Sequence, residues 1–252
     1  MNVMIFDTET TDLNKCFCYN IGFCIVDTDN GETLIAEDYV VEQIWHNLPL
    51  FQTAYYADKR PLYVSAMKAR RTKMKKFGQI TQRMCKLIEE FNIEYAYAYN
   101  SKFDEKVFDF NCDWFKCINP FDNVDVIDIR GLVHQFVAET SSYQNYCEEH
   151  QLFTDSGNYS TTAEALFKYI TDNADFEEAH TALADSVIET NILFFCLASG
   201  AVLGQHYKTK QSIRRNCIYT LDIIDGFTGE ILLSAPYQRI KINKGKTQIV
   251  LD

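Results

Sequence analysis

Two acidic side chains follow a short apolar run at the start of the chain. Residues 3–6 are continuously apolar, which is typical of a strand buried on both faces. Asp7 and Glu9 come next, and their two-residue spacing places both carboxylates on one face of an extended chain. Neighbouring carboxylates repel each other, so their burial is costly unless a cation neutralises them. An oxygen-only pair of this kind favours Mg²⁺ or Mn²⁺ over zinc.

Three further residues could join this pair. Asp104 opens a predicted helix that follows a strand, and His180 and Asp185 stand five residues apart on a predicted long helix. Five residues make about one and a half turns, so His180 at the helix start can lean toward the same cleft as Asp185. Four carboxylates and an imidazole suit two-metal phosphoryl chemistry, in which two divalent ions clamp the attacking and leaving oxygens. A histidine that titrates near neutrality can accept the proton of the attacking water.

Each of these residues has an ordinary alternative role. Asp104 alone could simply cap its helix, and His180 alone could be an ordinary residue at a helix start. The two acids near the N-terminus alone could be solvated groups at a strand end. Only the combination of the five residues favours catalysis.

The first part of the chain must position Asp7 and Glu9. Residues 20–27 and 33–41 alternate in hydrophobicity around an Asn-Gly pair at 30–31, which is a strong hairpin signal. We therefore predict that the chain opens with three antiparallel strands. Residues 48–91 are predicted to be helical, with an amphipathic helix near their end.

The next part alternates strands with helices. Residues 94–99 have a period of two and predict a fourth strand, and residues 123–129 predict a fifth. Thr161 and Glu164 have the spacing of a capping box and predict a helix start. The helices predicted here are a short one through Val107 and Phe108 and longer ones at 132–138, 162–170 and 180–199.

The predicted secondary structure changes from helices to short strands after residue 203. Four short segments predict strands joined as two hairpins: 217–224, 230–234, 239–243 and 247–251. We therefore divide the chain into a domain at 1–203 and a small β appendage at 204–252. The appendage is basic, with eight Lys and Arg against four Asp and Glu.

The overall charge is −11 in 252 residues, but the basic residues are clustered. Residues 59–76 carry eight positive side chains and no acid. Basic patches on an acidic body fit a protein that contacts phosphates locally, although a solvated helix face explains either patch equally well. The nine cysteines are scattered, and only Cys16 and Cys18 form a close pair, so a zinc site is disfavoured.

No apolar stretch reaches the roughly 20 residues that cross a bilayer. The N-terminus lacks the features of a signal peptide. A cytoplasmic protein without membrane contact is therefore the default expectation.

Three segments of the sequence, in order, resemble the motifs of a known enzyme family. F-D-T-E-T-T-D-L at 6–13, Y-N-S-K-F-D at 99–104 and A-H-T-A-L-A-D at 179–185 are similar to the three motifs of the DEDDh, or DnaQ-like, 3′–5′ exonuclease superfamily. That superfamily includes proofreading exonuclease subunits of DNA polymerases, RNase T and oligoribonuclease. The resemblance covers about residues 1–200. It implies an α/β, RNase H-like fold, with a mixed five-stranded sheet flanked by helices.

The resemblance also implies roles for individual residues. Four acids would ligate two Mg²⁺ or Mn²⁺ ions: Asp7, Glu9, Asp104 and Asp185. His180 would be the general base. Four further positions would bind substrate: Thr10, Leu13, Asn100 and Phe103. Asp12 departs from the family, which usually has glycine there, so this acid either repels the phosphate or faces solvent.

The expected activity is release of nucleoside 5′-monophosphates from the 3′ end of single-stranded DNA. Two alternatives stay open: an exoribonuclease of the RNase T or oligoribonuclease type, and a non-catalytic nucleic-acid-binding module. The appendage at 204–252 would mediate a homodimer or dock a polymerase partner. A phage-encoded enzyme that acts in the host cytoplasm would suit a small exonuclease with such an appendage.

Overall fold

The computed structural model describes residues 1–13, 15–215, 218–224 and 231–238, the last two segments by their backbone alone. Six strands form a mixed central sheet in the order β4-β3-β2-β1-β5-β6. Within this sheet β2 runs antiparallel to its two neighbours, and the other pairs are parallel. The strands are β1 (Asn2–Thr10), β2 (Cys18–Asp27), β3 (Thr33–Val41), β4 (Lys73–Lys75), β5 (Tyr95–Ala98) and β6 (Asp125–Asp128).

Helices cover both faces of this sheet. They are α1 (Glu42–Trp45), α2 (Leu48–Phe51), α3 (Arg60–Lys68), α4 (Phe77–Phe91), α5 (Ser101–Phe115), α6 (Ile129–Phe136), α7 (Ser141–Glu149), α8 (Ala163–Thr171) and α9 (Ala182–Ala198). A turn of 3₁₀ helix at Ala57–Lys59 precedes α3. Two further strands, β7 (Ile218–Ile224) and β8 (Ile231–Gln238), pair in a separate antiparallel sheet.

The predicted α/β architecture is confirmed, with one additional strand. The three opening strands are antiparallel, and the fourth and fifth predicted strands are β5 and β6. The sequence missed β4, which lies inside the stretch 48–91 that was predicted to be helical. Its three residues, K-M-K, contain no apolar run, and pairing with β3 forms it. The exposed lysines at this sheet edge discourage pairing with another chain.

Several helix boundaries differ from the prediction. The N-cap of α8 is Thr162, whose hydroxyl accepts from the Ala165 N–H, and not Thr161. Glu164 pairs instead with Lys168 one turn later. The helix after β5 was predicted to be short but has 15 residues. His180 was predicted to lie on the last helix, but α9 begins at Ala182 and His180 precedes it with a φ of 50°.

The alternation of side chains along β1 builds two apolar cores. Met4 and Phe6 point to the core that contains α4 and α5. Val3 and Ile5 point to the opposite core, which contains α6 and α9. Because side chains alternate along a strand, Asp7 and Glu9 continue the second series and face α9.

Residues 204–215 pack against the central sheet and α6. The Gly204 N–H donates to the Tyr97 hydroxyl at 2.9 Å, and the Lys210 N–H donates to His134 Nδ1 at 2.8 Å. Ile213 is buried and bridges to Tyr159.

The first predicted hairpin of the appendage corresponds to β7 and β8, and the second lies outside the described residues. The boundary at 203/204 stays a prediction. No helix in the described part of the chain is long and apolar enough to cross a membrane.

Candidate active site

Three carboxylates from β1 and α9 meet at the end of the first strand. Asp7 and Glu9 lie in β1, and Asp185 lies in the first turn of α9. Each offers an oxygen that lies within 4.8 Å of the oxygens of the other two. The structure thus brings together three of the four predicted metal ligands, from segments about 180 residues apart in the sequence.

A glycine on β2 allows α9 to come this close. Gly22 pairs with Asp7 across the β1–β2 ladder. A Cβ atom at Gly22 would overlap the backbone of Ala182 and Leu183, so only glycine permits this approach. The Ser186 hydroxyl donates to the Gly22 carbonyl at 3.0 Å. The first turn of α9 therefore lies directly against the strand beside Asp7.

A buried polar network fixes the start of α9. The Asn20 side chain accepts from the Ala182 N–H at 2.9 Å and from the Tyr63 hydroxyl at 3.0 Å. Its amide nitrogen donates to Asp38 at 2.7 Å, and Thr72 donates to the other Asp38 oxygen. Asn20 thus performs the N-capping role from a distant strand. This explains why local sequence placed the helix start incorrectly.

Asp104 lies beside the three carboxylates but outside their group. It occupies the first turn of α5, is 3% exposed, and accepts from the Thr8 hydroxyl at 2.6 Å. Thr8 points to the opposite face of β1 from Asp7 and Glu9. Asp104 therefore approaches the strand from the α5 side, where burial and the nearby charge of Asp7 raise its pKa.

Burial and repulsion between neighbouring acids raise the pKa values of these carboxyl groups. Burial, followed by the charge of Glu178, raises the pKa of Asp7 to about 7. Burial and the charges of Asp7 and Asp185 raise the pKa of Glu9 to about 10. Burial and Asp7 raise the pKa of Asp185 to about 9.

The donor set fits hard divalent cations. Asp185 is 8% exposed, and its Oδ1 has no hydrogen-bond partner among the described residues. A buried carboxylate oxygen without a partner is costly unless a cation completes it. Carboxylate oxygens without sulfur or imidazole are the ligands of Mg²⁺ and Mn²⁺. The residues present therefore fit such ions.

His180 lies in the loop before α9, where two side chains lie against its ring and a third holds the preceding residue. Its ring stacks on Tyr56, with centroids 4.5 Å apart and an interplanar angle of 11°. Its Nδ1 lies 3.5 Å from Glu178 Oε2. Lys59 Nζ donates to the Ala179 carbonyl at 2.6 Å. We call Tyr56, Lys59 and Glu178 the histidine clamp.

The His180 imidazole belongs to a different group from the three carboxylates. Its nitrogen clusters with Glu164 and Glu178, within 4.8 Å of an oxygen of each. Burial and the charge of Lys59 lower the pKa of His180, while Glu164 raises it. The net shift favours the neutral imidazole, which is the form that can accept a proton.

The predicted substrate-binding residues lie at the end of β1 and in the segments that follow β1 and β5. Leu13 is 74% exposed, and its carbonyl accepts from Lys106 Nζ at 2.9 Å. Asn100 is exposed with a φ of 64°, and its N–H donates to Asp128 at 2.9 Å. Thr10 is half-buried, and Phe103 is half-buried against the apolar core.

Asp12, the departure from the family pattern, has a structural role in the loop after β1. Its carboxylate accepts from the Lys15 N–H at 2.8 Å, and its carbonyl accepts from the Cys16 N–H at 3.0 Å. These bonds turn the chain between β1 and β2.

Sequence reasoning missed Glu189 and the histidine clamp. Glu189 lies on α9 four residues after Asp185 and is 3% exposed. An acid at that spacing on an apolar helix is a signal that the sequence carries. Tyr56 and Lys59 give no such signal, because only the tertiary fold brings them to His180.

The sequence matches no protein-family model and no curated protein sequence. The fold, in contrast, is similar to those of solved nucleases. A full-length 3′-exonuclease has a TM-score of 0.55 at 13% identity, over 79% of this chain and 82% of that chain.

Two further structures are similar. A 3′-exonuclease described as recognising the 3′ end of a histone mRNA stem-loop has a TM-score of 0.53 at 13% identity, over 85% of this chain and 76% of that chain. The nuclease domain of 3′hExo, described as a DEDDh family member bound to rAMP, has a TM-score of 0.50 at 13% identity, over 79% and 92%. At this identity the similarity establishes the RNase H-like fold and not an activity.

Proposed function

We propose that the protein is a metal-dependent 3′–5′ exonuclease of the DEDDh type. The observation that carries this proposal is the convergence of Asp7, Glu9 and Asp185, within 4.8 Å, in a fold similar to those of 3′-exonucleases. The buried and unpartnered Asp185 oxygen supports a site built for cations rather than an incidental cluster. A polymerase-proofreading role is one form that such an activity could take.

The metal site would use the four predicted acids. Asp7, Glu9 and Asp185 would hold one or two Mg²⁺ or Mn²⁺ ions, with Asp104 completing the site from the α5 side. Bound ions would stabilise the negative charge that develops on the attacking and leaving oxygens. The four carboxylates balance the charge of two divalent cations, which supports a two-ion site.

His180 would accept the proton of the attacking water. Since Nδ1 lies 3.5 Å from Glu178, we expect the neutral ring to carry its proton on Nδ1 and to present Nε2 as the acceptor. The stack on Tyr56 restricts the orientation of the ring. A fixed and neutral imidazole is what a general base requires.

The substrate would be the 3′ end of a single strand, and the product a nucleoside 5′-monophosphate. Thr10, Leu13, Asn100 and Phe103 are the proposed contacts to the terminal nucleotide. The exposed and apolar Leu13 side chain supports packing against a base.

DNA is the substrate that we propose first, as the sequence predicted. RNA is a second candidate, because two similar structures involve a histone mRNA stem-loop and rAMP. A 2′-hydroxyl contact would be the physical basis for choosing RNA.

Digestion of two 5′-labelled single strands, one DNA and one RNA, tests the proposal. Each is incubated with Mg²⁺, with Mn²⁺ and with EDTA, using wild type, His180→Ala and His206→Ala. His206 is exposed and pairs with Asp125 on β6, so its variant controls for loss of a histidine as such.

We expect a metal-dependent ladder that shortens from the 3′ end, lost in EDTA and in His180→Ala and retained in His206→Ala. The faster digestion of either the DNA or the RNA strand shows which sugar the enzyme prefers. Failure to shorten either strand with either metal would favour the binding-module alternative.

A further inference from the structure

A fifth carboxylate lies beneath the candidate site. Glu189 is on α9, one helical turn after Asp185, so both side chains lie on the same side of the helix. It is 3% exposed, among the apolar residues Ile188, Ile192 and Leu193 of the buried face. None of the three motifs that carry the resemblance to exonucleases includes this position.

The Glu189 carboxylate lacks a neutralising partner in the described part of the chain. Its Oε2 makes no hydrogen bond there, and no ion pair with Glu189 is formed. The Tyr99 backbone N–H is its one favourable polar neighbour that the structure identifies, while the charges of Asp7, Asp104 and Asp185 oppose its ionisation. The ionised form of a buried acid in such surroundings is strongly unfavourable unless a cation compensates it.

The position of Glu189 indicates an indirect role. The oxygens of Asp7, Glu9 and Asp185 form the group within 4.8 Å, and Glu189 is not part of that group. It lies one helical turn further along α9 than Asp185 and is more deeply buried, 3% against 8% exposed, so it lies behind the inner carboxylates. Mg²⁺ and Mn²⁺ retain part of their hydration shell in proteins, so an outer carboxylate can accept hydrogen bonds from that shell.

We infer that Glu189 is an additional, outer carboxylate of the divalent-metal site, positioned behind Asp7 and Asp185 by α9 and the end of β5. It raises the affinity for Mg²⁺ and Mn²⁺ by adding negative charge and by orienting the hydration shell of the ion. This inference rests on the metal site of the proposed function and adds a residue that the DEDDh motifs do not contain.

The test is calorimetric titration of Mn²⁺, repeated with Mg²⁺, into wild type and Glu189→Gln in the absence of nucleic acid. Glutamine preserves the size of the side chain and an acceptor for the Tyr99 N–H but removes the charge. Loss of an outer-sphere partner weakens metal affinity by about 10- to 100-fold, and we expect a loss in this range.

Glu178→Gln is the matched control. Glu178 also lies near enough to raise the pKa values of Asp7 and Asp185, but it faces His180 and α8. Its neutralisation removes the same charge from the neighbourhood of the site without removing an outer ligand. We expect a much smaller loss of affinity in this variant.

Two results would overturn the inference. One is a Mn²⁺ dissociation constant of Glu189→Gln equal to that of wild type, and the other is an equal loss in Glu178→Gln. Thermal unfolding in EDTA establishes that the variants are folded. If Glu189→Gln does not fold, Glu189→Asp replaces it, since it keeps the charge but withdraws the oxygen, and wild-type affinity there contradicts the inference.

The same titration separates this inference from the proposed function. Wild-type protein that binds Mn²⁺ tightly but digests no strand would contradict the exonuclease and leave the role of Glu189 intact. Wild-type protein that digests strands, together with an unchanged Mn²⁺ affinity in Glu189→Gln, would support the exonuclease and contradict the role of Glu189.

Discussion

Burial and metal binding favour opposite protonation states of the acids at the end of β1. Burial raises their pKa values, yet divalent cations require them ionised. The sequence predicted Asp7, Glu9, Asp104 and Asp185 as metal ligands because acid types at fixed spacing are visible without a structure. It could not show which of these acids lie together. The three-carboxylate group and the separate hydrogen bond between Asp104 and Thr8 depend on which face of β1 each side chain occupies.

Metal-free protein should lose stability as the pH rises. A carboxyl whose folded pKa exceeds its unfolded value stabilises the fold most when it is protonated, and that contribution is lost as the pH rises through the folded pKa. For Asp7 and Asp185 the loss runs from the ordinary carboxyl pKa of 3.8 up to about 7 and about 9, respectively. We expect the free energy of urea unfolding in EDTA to fall between about pH 5 and pH 8.5, and Mg²⁺ to reduce the fall.

The Asp7→Asn variant tests how much of this pH dependence of stability comes from the candidate site. Cysteines and tyrosines of the core also have raised pKa values and act in the same direction at higher pH, so wild type and variant are compared in the same buffers. The variant should show a smaller fall and, at pH 8.5 without metal, greater stability than wild type. A metal-free Asp7→Asn protein less stable than wild type would contradict the clustered-carboxylate account.

At the scale of elements, the site depends on how α9 meets the sheet. The sequence predicted this helix from its apolar pattern but extended it back to residue 180. The start of the helix is set instead by Asn20 on β2, through a hydrogen bond between residues 162 positions apart. Local propensity cannot reveal such a cap. As a consequence, His180, the proposed general base, lies in a loop rather than on the helix.

Gly22→Ala should separate α9 from β1. The added Cβ meets helix backbone, which cannot move aside as a flexible side chain can. We expect a loss of about 1–3 kcal/mol in the free energy of unfolding, together with weaker Mn²⁺ binding, because Asp185 withdraws from Asp7. Gly78→Ala, on α4 against the Cys117 side chain, is the control. Wild-type stability and Mn²⁺ affinity in Gly22→Ala would contradict this packing.

The histidine clamp predicts a kinetic difference between two replacements of Tyr56. Tyr56→Phe keeps the ring that stacks on His180, whereas Tyr56→Leu removes it. Displacing a catalytic group by about 1 Å can lower the rate by about 100-fold, so we expect kcat to fall at least tenfold in the leucine variant alone, with little change in KM.

The NMR signal of the His180 ring tests the same clamp without substrate. Stacking on Tyr56 should shift this signal upfield in wild type and Tyr56→Phe, and Tyr56→Leu should abolish the shift. The same His180 signal and the same kcat in all three proteins would contradict a positioning role for Tyr56.

At the scale of the molecule, most of the order of strands and helices could be predicted from the sequence. Five strands of the central sheet were predicted: β1 from a continuous apolar run, β2 and β3 from alternation around an Asn-Gly pair, and β5 and β6 from short segments that precede predicted helices. The sixth strand, β4, could not be predicted, because three residues of alternating Lys and Met show no strand pattern of their own. The strand forms by pairing with β3. The basic appendage was predicted as a separate unit, yet its residues 204–215 contact α6 and the sheet.

The appendage also changes the expected outcome of truncation. Tyr207 lies against Gly131, and the buried Ile213 bridges to Tyr159. We expect a chain ending at residue 203 to unfold at a lower temperature than one ending at 215, because it exposes these contacts. Equal melting temperatures would show that the contacts contribute little. Light scattering of the full chain against the 1–215 chain tests the predicted homodimer.

The most direct test of the central claim is product release by wild type and Asp185→Asn with a single-stranded substrate and Mn²⁺. Chromatography would identify the product, and thermal unfolding in EDTA would confirm that the variant is folded. We expect wild type to release nucleoside 5′-monophosphates and Asp185→Asn to lose this activity while unfolding at an equal or higher temperature. A folded Asp185→Asn protein that releases the same product at the wild-type rate would contradict the assignment of the chemistry to this site.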